Sequence, residues 1–265
     1  MNPTAFPELN AVLGQLVAGA RTALGDNLVG VYLQGSFAVG DADEHSDVDF
    51  LVVIEHELTE DEQRALQALH ERLFQLPSHW AQHLEGSYVP HELLRGLDPK
   101  RQPWFYFDNG ATEAVWDNHD NSAVVRWSLR EHGVVLEGPE PTTLVDPVSG
   151  DELRREVRWV IDDFADWLRA RETWSARLQT LAVISYCRIL HSLETGAVTS
   201  KRASGVWARE ALDDEWRDLI DRALDDRPGP WSKVRETADA GLVRRTLDFV
   251  DYAAKRSRET PSAAR

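Results

Sequence analysis

Residues 35–53, with the sequence GSFAVGDADEHSDVDFLVV, constrain the fold of this chain more than any other stretch. They begin with Gly35-Ser36 at the end of one apolar run, and they end in a second apolar run that Asp47 and Asp49 open. Residues two apart on an extended strand point to the same face, so the two carboxylates are expected side by side. Carboxylates this close need a strong compensating cation, and a divalent metal ion is the usual one.

The residues before this pair of acids have the composition of a phosphate-binding turn. Residues 28–34 form a β-rich apolar run that ends at Gly35-Ser36, where small residues would expose backbone N–H groups and a hydroxyl. A turn that binds phosphate and a pair of carboxylates that bind Mg²⁺ are the minimum set of groups that phosphoryl or nucleotidyl transfer requires. The alternative is a hairpin with solvated acids, which the position of Gly35-Ser36 between two strand-like runs disfavours.

A third acid is predicted on the next strand. The helix expected at 59–75 begins with a capping box formed by Thr59 and Glu62, and residues 83–89 then have the pattern of a strand with Glu85 at its centre. A carboxylate at this position could complete the metal site or accept the proton of an attacking hydroxyl. The alternative for Glu85 is an exposed acid on a strand face.

The order of elements predicts an α+β protein with two domains. Residues 1–150 combine a helix at 7–24 with the strands and helix above, which is typical of a mixed sheet covered by helices. Residues 151–265 follow turn-rich segments and show helical periodicity without strand-like runs, which predicts an α-helical bundle. Further predicted elements of the first domain are short strands at 104–107 and 114–116. The bundle helices are predicted at 151–171, 178–195, 200–211, 214–224 and 231–255, and Gly196 is the expected C′ residue of the second of them. The tail is predicted to be frayed from residue 257 on.

Residues 117–121, with the sequence DNHDN, are unusually rich in polar groups and precede a predicted helix at 123–132. An Asn or Asp cap at the start of that helix is the simpler explanation for these residues. The other interpretation is that His119 and Asp120 line the rim of an active site.

The composition excludes several classes of partner. The 265 residues carry a formal net charge of −16, whereas a nucleic-acid binder needs basic surface, so no nucleic-acid partner is expected. The sequence contains a single cysteine, Cys187, which excludes an internal disulfide and a metal site built from several cysteines. No apolar run approaches the roughly 20 residues of a membrane span, and the N-terminus lacks a basic leader. We therefore expect a cytoplasmic protein without a membrane partner, and we expect it to act as a monomer.

Two basic residues of the helical part stand out. Arg188 lies at the edge of the apolar stripe of its helix, where a charge is costly unless it is paired or used. Lys201 opens the following helix, where the helix dipole does not favour a cation. Both positions would be explained if the two side chains faced a triphosphate and stabilised charge on departing pyrophosphate. The alternatives are an arginine that reaches an aspartate and an exposed lysine.

Gly-Ser followed at this distance by Asp-x-Asp resembles the signature of the nucleotidyltransferase superfamily of the DNA polymerase β type. Residues 185–190 (SYCRIL), 195–201 (TGAVTSK) and 206–208 (VWA) resemble the helical C-terminal domain of the streptomycin/spectinomycin-type aminoglycoside adenylyltransferases. The resemblance covers nearly the whole chain. It implies a polymerase β-like N-terminal domain, a helical domain that closes a cleft for ATP and acceptor, and Mg²⁺-dependent transfer of AMP to a small-molecule hydroxyl. It also implies phosphate binding by Gly35 and Ser36, Mg²⁺ binding by Asp47, Asp49 and Glu85 with Glu85 as the catalytic base, and ATP contacts by Arg188 and Lys201.

The acceptor is less well defined than the donor. Streptomycin-modifying members of the family place acidic residues shortly before the bundle arginine, whereas residues 174–178 have the sequence WSARL and the nearest acid is Glu172. An aminocyclitol carries ammonium groups that need acidic partners, so this segment argues against streptomycin. Spectinomycin, another hydroxylated small molecule or no antibiotic at all are the alternatives. Two other functions also stay open, namely AMP transfer to a protein partner and a non-catalytic nucleotide-binding module.

Overall fold

The computed structural model describes residues 2–227 and 231–259. The chain forms two compact units, the first of Met1–Gly40 and Asp47–Pro147, and the second of Asp41–Ser46 and Val148–Arg265. The division into residues 1–150 and 151–265 placed residues 41–46 in the first part, whereas this segment clusters with the second unit. Within the described ranges, no helix combines the length and the apolar character that a membrane span requires.

A mixed sheet forms the centre of the first unit. Its strands are β1 (Leu28–Leu33), β2 (Val48–Ile54), β3 (Leu84–Pro90), β4 (Trp104–Phe107), β5 (Val115–Asp117) and β6 (Val134–Glu137). Their order across the sheet is β5-β4-β3-β2-β1-β6. β2 and β3 run parallel, whereas the other neighbouring strands are antiparallel. The sequence did not predict β6, because these four half-buried residues become a strand only through pairing with β1, which is distant in sequence.

Helices cover both faces of this sheet. They are α1 (Pro7–Leu24), α2 (Gly35–Ala38), α3 (Glu60–Phe74), α4 (His91–Arg95), α5 (Ala123–His132) and α6 (Pro141–Leu144). The capping box predicted for α3 is confirmed, since Thr59 Oγ1 accepts from the Glu62 amide at 3.2 Å and the Glu62 carboxylate accepts from the Thr59 amide at 2.8 Å. The expected Asn or Asp cap of α5 is wrong, because Ser122 Oγ accepts from the Val125 amide at 3.1 Å instead.

The alternation of side chains along β2 divides the core between the two faces. Val52 points to the face that α1 and α3 cover, where it packs with Leu16 and Leu66. Leu51 points to the opposite face, where it packs with Leu129 of α5. Because both faces of β2 are covered, side chains that point to either face are buried. Residues 50–54 therefore form a continuous apolar run in the sequence.

Gly86 allows β2 and β3 to approach each other closely. A Cβ atom at this position would lie 2.0 Å from the backbone oxygen of Phe50 on β2. We therefore expect Gly86→Ala to lower the free energy of unfolding by about 1–3 kcal/mol in chemical denaturation, because the strands must separate. Gly14→Ala on α1 is the control, since a Cβ there has nothing within 4 Å, and it is expected to be neutral or stabilising. Equal stability of the two variants would contradict this interpretation.

The second unit is helical in the described residues after 147. Its helices are α7 (Gly150–Arg169), α8 (Ala176–Thr195), α9 (Lys201–Ala211), α10 (Arg217–Asp225) and α11 (Ala240–Glu259). Gly196 follows α8 with a φ of 68°, in the left-handed conformation expected of a C′ glycine. The predicted α+β architecture, a mixed sheet with helices followed by a helical part, is confirmed.

The single helix predicted at 231–255 is wrong. Trp231–Val234 forms one 3₁₀ turn, and α11 begins only at Ala240. The intervening backbone pairs with another segment, because the Ala176 amide donates to Glu236 O at 2.8 Å and the Ala238 amide donates to Trp174 O at 2.9 Å. α11 continues through residue 257, where a frayed tail was predicted, and residues 260–265 lie outside the described residues.

Candidate active site

The parallel register of β2 and β3 brings the predicted acids together. Asp49 lies directly beside Glu85 on the neighbouring strand. Asp47 lies just before β2 and two residues from Asp49, so both side chains project from the same face. One carboxylate oxygen from each of the three acids lies within 4.8 Å of the others. The structure thus forms one cluster from the three acids that the sequence singled out.

This acidic cluster has the chemistry of a divalent-cation site. All three acids are half-buried, and the Glu85 side chain is 15% exposed. Burial raises the pKa of Glu85, and the nearby Asp47 contributes in the same direction, although hydrogen bonding to Tyr106 opposes both. Neighbouring carboxylates that are partly shielded from water repel each other when they are charged. A bound divalent cation that prefers oxygen ligands would reduce this repulsion. Asp47, Asp49 and Glu85 therefore fit Mg²⁺.

Gly35 and Ser36 lie next to this cluster at the start of α2. Gly35 has a φ of +56°, and a Cβ on it would lie 1.8 Å from Asp49 Oδ2, so glycine permits this close approach. Ser36 Oγ is buried and has no hydrogen-bond partner among the described residues. Leaving a buried hydroxyl unpaired costs about 1–3 kcal/mol, and an oxygen of a bound phosphate would satisfy it. Ser36 thus fits a phosphate-binding role.

A buried polar network supports α2 and was not predicted from the sequence. Ser87 Oγ donates to Asp120 Oδ2 at 2.7 Å, and the Gln34 side chain also hydrogen-bonds to Asp120. Burial raises the pKa of Asp120 despite these bonds. Gln34 in turn donates its amide to Asp49 O at 2.9 Å. Asp120 is therefore a buried residue that connects β3 to the start of α2, and it is neither a helix cap nor a rim residue.

Tyr106 and His119 contact the acid on β3. The Tyr106 hydroxyl donates to Glu85 Oε1 at 2.7 Å, and His119 Nε2 lies 3.5 Å from the same oxygen. Burial and the neighbouring Glu85 raise the pKa of Tyr106, so the phenol keeps its proton. His119 was one of the two candidate rim residues, whereas Tyr106 was missed. The sequence feature that could have identified Tyr106 is its hydroxyl group, which lies in the otherwise apolar predicted strand WFYF.

Arg188 and Lys201 both belong to the second unit. Arg188 is half-buried on α8 between the buried residues Cys187 and Ile189, as its place at the edge of an apolar stripe indicated. Lys201 is the first residue of α9, which Ser200 caps by accepting from the Ala203 amide at 3.1 Å. Their contact with a triphosphate stays a prediction.

Two acids of residues 41–46, a segment that belongs to the second unit, contact other residues of that unit. Asp41 Oδ2 accepts from the Arg202 amide and from Arg227 Nη1, both at 2.9 Å. Arg227 Nη2 also lies 3.6 Å from Asp43 Oδ2. Arg227 thus balances the charge of both acids within the second unit.

Comparisons with known proteins agree with this architecture. The family model described as the aminoglycoside adenylyltransferase C-terminal domain matches residues 143–255, and the nucleotidyltransferase domain model matches residues 18–94. Spectinomycin 9-adenylyltransferase from Staphylococcus aureus is 26% identical over 81% of this chain and 86% of its own length. Aminoglycoside (3'') (9) adenylyltransferase from Shigella flexneri is 25% identical over 95% of this chain and 96% of its own length.

A solved structure shares the fold along most of the chain. It is the crystal structure of spectinomycin adenyltransferase AAD(9) from Enterococcus faecialis with ATP and spectinomycin, with a TM-score of 0.71 and 17% sequence identity. The match covers 92% of this chain and 98% of that one. The two family models occur in the order that the sequence predicted, and the match to the Shigella flexneri relative covers 96% of that protein's length. The chain is an adenylyltransferase that combines a nucleotidyltransferase domain with the C-terminal domain of the aminoglycoside adenylyltransferases.

Proposed function

We propose that this protein transfers AMP from ATP to a hydroxyl of an aminocyclitol antibiotic, with spectinomycin as the first candidate and Mg²⁺ as the metal. The observation that carries the proposal is the convergence of Asp47, Asp49 and Glu85 within 4.8 Å, beside the Ser36 hydroxyl, which has no hydrogen-bond partner in the described part of the chain. The relatives named for spectinomycin and aminoglycoside adenylyl transfer support it. A monomeric enzyme in the cytoplasm, where ATP is available, is part of the proposal.

The residues of the first unit supply the donor site and the base. Asp47 and Asp49 would hold Mg²⁺, which when bound neutralises charge on the triphosphate. Ser36 donates its hydroxyl to a phosphate oxygen, and the glycine before it leaves room for the phosphate. Glu85 accepts the proton of the acceptor hydroxyl as its oxygen bonds to the α-phosphorus. The bond from that phosphorus to the departing pyrophosphate breaks, and the cations described next neutralise the charge that develops.

Arg188 and Lys201 are proposed to contact the pyrophosphate. Cations that face a departing phosphate stabilise the transition state more than the ground state, because negative charge accumulates there as the bond breaks. The resemblance of residues 185–190 and 195–201 to the corresponding helices of the family supports this role.

The start of α8 favours spectinomycin over streptomycin as the acceptor. Residues 173–181 contain no Asp or Glu, although streptomycin-modifying members of the family place acids in this region. The acceptor is therefore proposed to be spectinomycin.

A panel of acceptors tests the proposal directly. The protein is incubated with ATP, Mg²⁺ and spectinomycin, streptomycin or other aminoglycosides, and pyrophosphate release is followed beside mass spectrometry of the acceptor. We expect release with spectinomycin, a product heavier by one AMP group, and spectinomycin resistance of cells that express the protein. Labelled AMP on a protein instead of the drug would assign a macromolecular acceptor. No Mg²⁺-dependent ATP binding in calorimetry would overturn the enzymatic proposal itself.

Ser36→Ala tests the phosphate cradle. Since Ser36 Oγ lacks a partner in the described residues, its removal should leave the melting temperature unchanged or higher. The KM for ATP should rise about fivefold to tenfold, which corresponds to the loss of one hydrogen bond to a phosphate. Ser78→Ala is a matched control, because Ser78 Oγ is also buried and has no hydrogen-bond partner within residues 2–227 and 231–259, but it lies outside the acidic cluster. A similar KM for ATP in both variants would contradict the assignment.

A further inference from the structure

We propose that Tyr106 is a positioning residue for Glu85. Its hydroxyl holds one carboxylate oxygen of Glu85 and leaves the second oxygen for the metal ion and the acceptor proton. This inference rests on the proposed function, because it concerns how the base of that reaction is oriented. Tyr106 itself does not contact substrate in this proposal.

The register of the sheet sets up the contact. β3 and β4 are antiparallel, and Tyr106 lies directly opposite Ser87. Glu85 is two residues before Ser87, so the side chains of all three residues project from the same face. Diagonal neighbours on one face are about 7–8 Å apart at their Cα atoms, which two long side chains can span. The Tyr106 hydroxyl and Glu85 Oε1 lie 2.7 Å apart.

The single proton of the Tyr106 hydroxyl is committed to Glu85. Among the described residues, the other carboxylate within reach of this hydroxyl is Asp108, whose Oδ1 is 3.3 Å away. That oxygen already accepts a hydrogen bond from the Asn109 amide at 2.9 Å. A bond of 2.7 Å lies at the preferred length for an O–H donor, whereas 3.3 Å lies beyond the usual range. The phenol therefore acts as a fixed donor to one oxygen of one acid.

Tyr106 is itself held rigidly. Its backbone lies within β4, and its ring stacks on His119 with a centroid distance of 5.3 Å and an interplanar angle of 28°. His119 Nε2 lies 3.5 Å from Glu85 Oε1, the oxygen that Tyr106 also binds. A misplacement of about 1 Å in a reacting group can cost about 100-fold in rate, so a base on a long side chain benefits from such a support.

Tyr106→Phe tests this role, because it keeps the ring and its stacking and removes the hydroxyl alone. We expect kcat to fall about 10-fold to 100-fold, with the KM for ATP and the affinity for Mn²⁺ in calorimetry within about twofold of the parent protein. Crystal structures of the two proteins should show one orientation of the Glu85 carboxylate in the parent and a turned or multiple orientation in the variant. Tyr32→Phe is the control, since it loses a 2.8 Å bond to Pro139 O far along the sheet from β4, and its kcat should be unchanged.

Several outcomes would overturn the inference. A kcat within about twofold of the parent protein, with Glu85 in its original orientation, would show that the hydroxyl is dispensable. A parallel loss of kcat and Mn²⁺ affinity would show a structural role for Tyr106 in the whole cluster. If no acceptor supports turnover in the parent, the proposed function fails, and the crystal comparison of Glu85 still decides the positioning role.

Discussion

Replacing Asp49 with asparagine is expected to reduce AMP transfer about 1,000-fold or more. Asp49 lies beside Glu85 in the sheet register, and its Oδ2 lies against Gly35. Asparagine has the same shape and keeps this packing, but it removes the charge that a divalent cation needs. The measurement is pyrophosphate release over a range of Mg²⁺ concentrations, beside a thermal melt.

The melting temperature of the Asp49→Asn protein should equal or exceed that of the parent protein, because repulsion within the acidic cluster decreases. Asp146→Asn is the control in the same unit, since Asp146 is 58% exposed and lies 3.4 Å from Arg95 outside the cluster. Its activity should be unchanged. Retention of more than about a tenth of the parent rate by Asp49→Asn would rule out Asp49 as an essential metal ligand.

Glu85→Gln is expected to remove turnover, by about 100-fold to 10,000-fold, while the affinity for ATP stays within about threefold. The amide cannot take the proton of the acceptor hydroxyl, but its carbonyl oxygen can still accept from Tyr106, so the local structure is kept. Single-turnover kinetics and calorimetric titration with ATP separate the two effects.

The contrast between metal affinity and rate decides the role of Glu85. If Glu85→Gln weakens Mg²⁺ binding as strongly as Asp49→Asn does, Glu85 is mainly a ligand and another group accepts the proton. Glu137→Gln is a matched control, because Glu137 pairs with Arg21 at 2.6 Å on the edge strand β6. It should change neither the rate nor the metal affinity.

The parts of the fold and site that could be predicted depend on local chemistry. α1 follows from helical periodicity, and the start of α3 follows from the capping box of Thr59 and Glu62. The acids Asp47 and Asp49 stand out because their spacing on an extended chain fixes a common face. Glu85 could be placed only by combining a strand pattern with the expectation of a third acid beside them.

The parts that could not be predicted depend on pairing between distant segments. β6 is a strand because β1 provides its hydrogen bonds, and the helix expected at 231–255 is interrupted because Glu236 pairs with Ala176. The contact of Tyr106 with Glu85 requires the register of β3 and β4, which no local pattern specifies. The role of Asp120 was hidden for the same reason, since its partner Ser87 lies on another element.

The hydrogen bonds of residues 41–46 limit how this enzyme can be divided. Asp41 has a side chain only 14% exposed, and its partners Arg227 and the Arg202 amide come from the helical part of the sequence. A fragment that ends at residue 150 would keep the three acids but would leave Asp41 without either partner. The units are thus interleaved along the gene and are not consecutive modules. A chimera that exchanges the helical part with a relative must carry residues 41–46 along with Arg227.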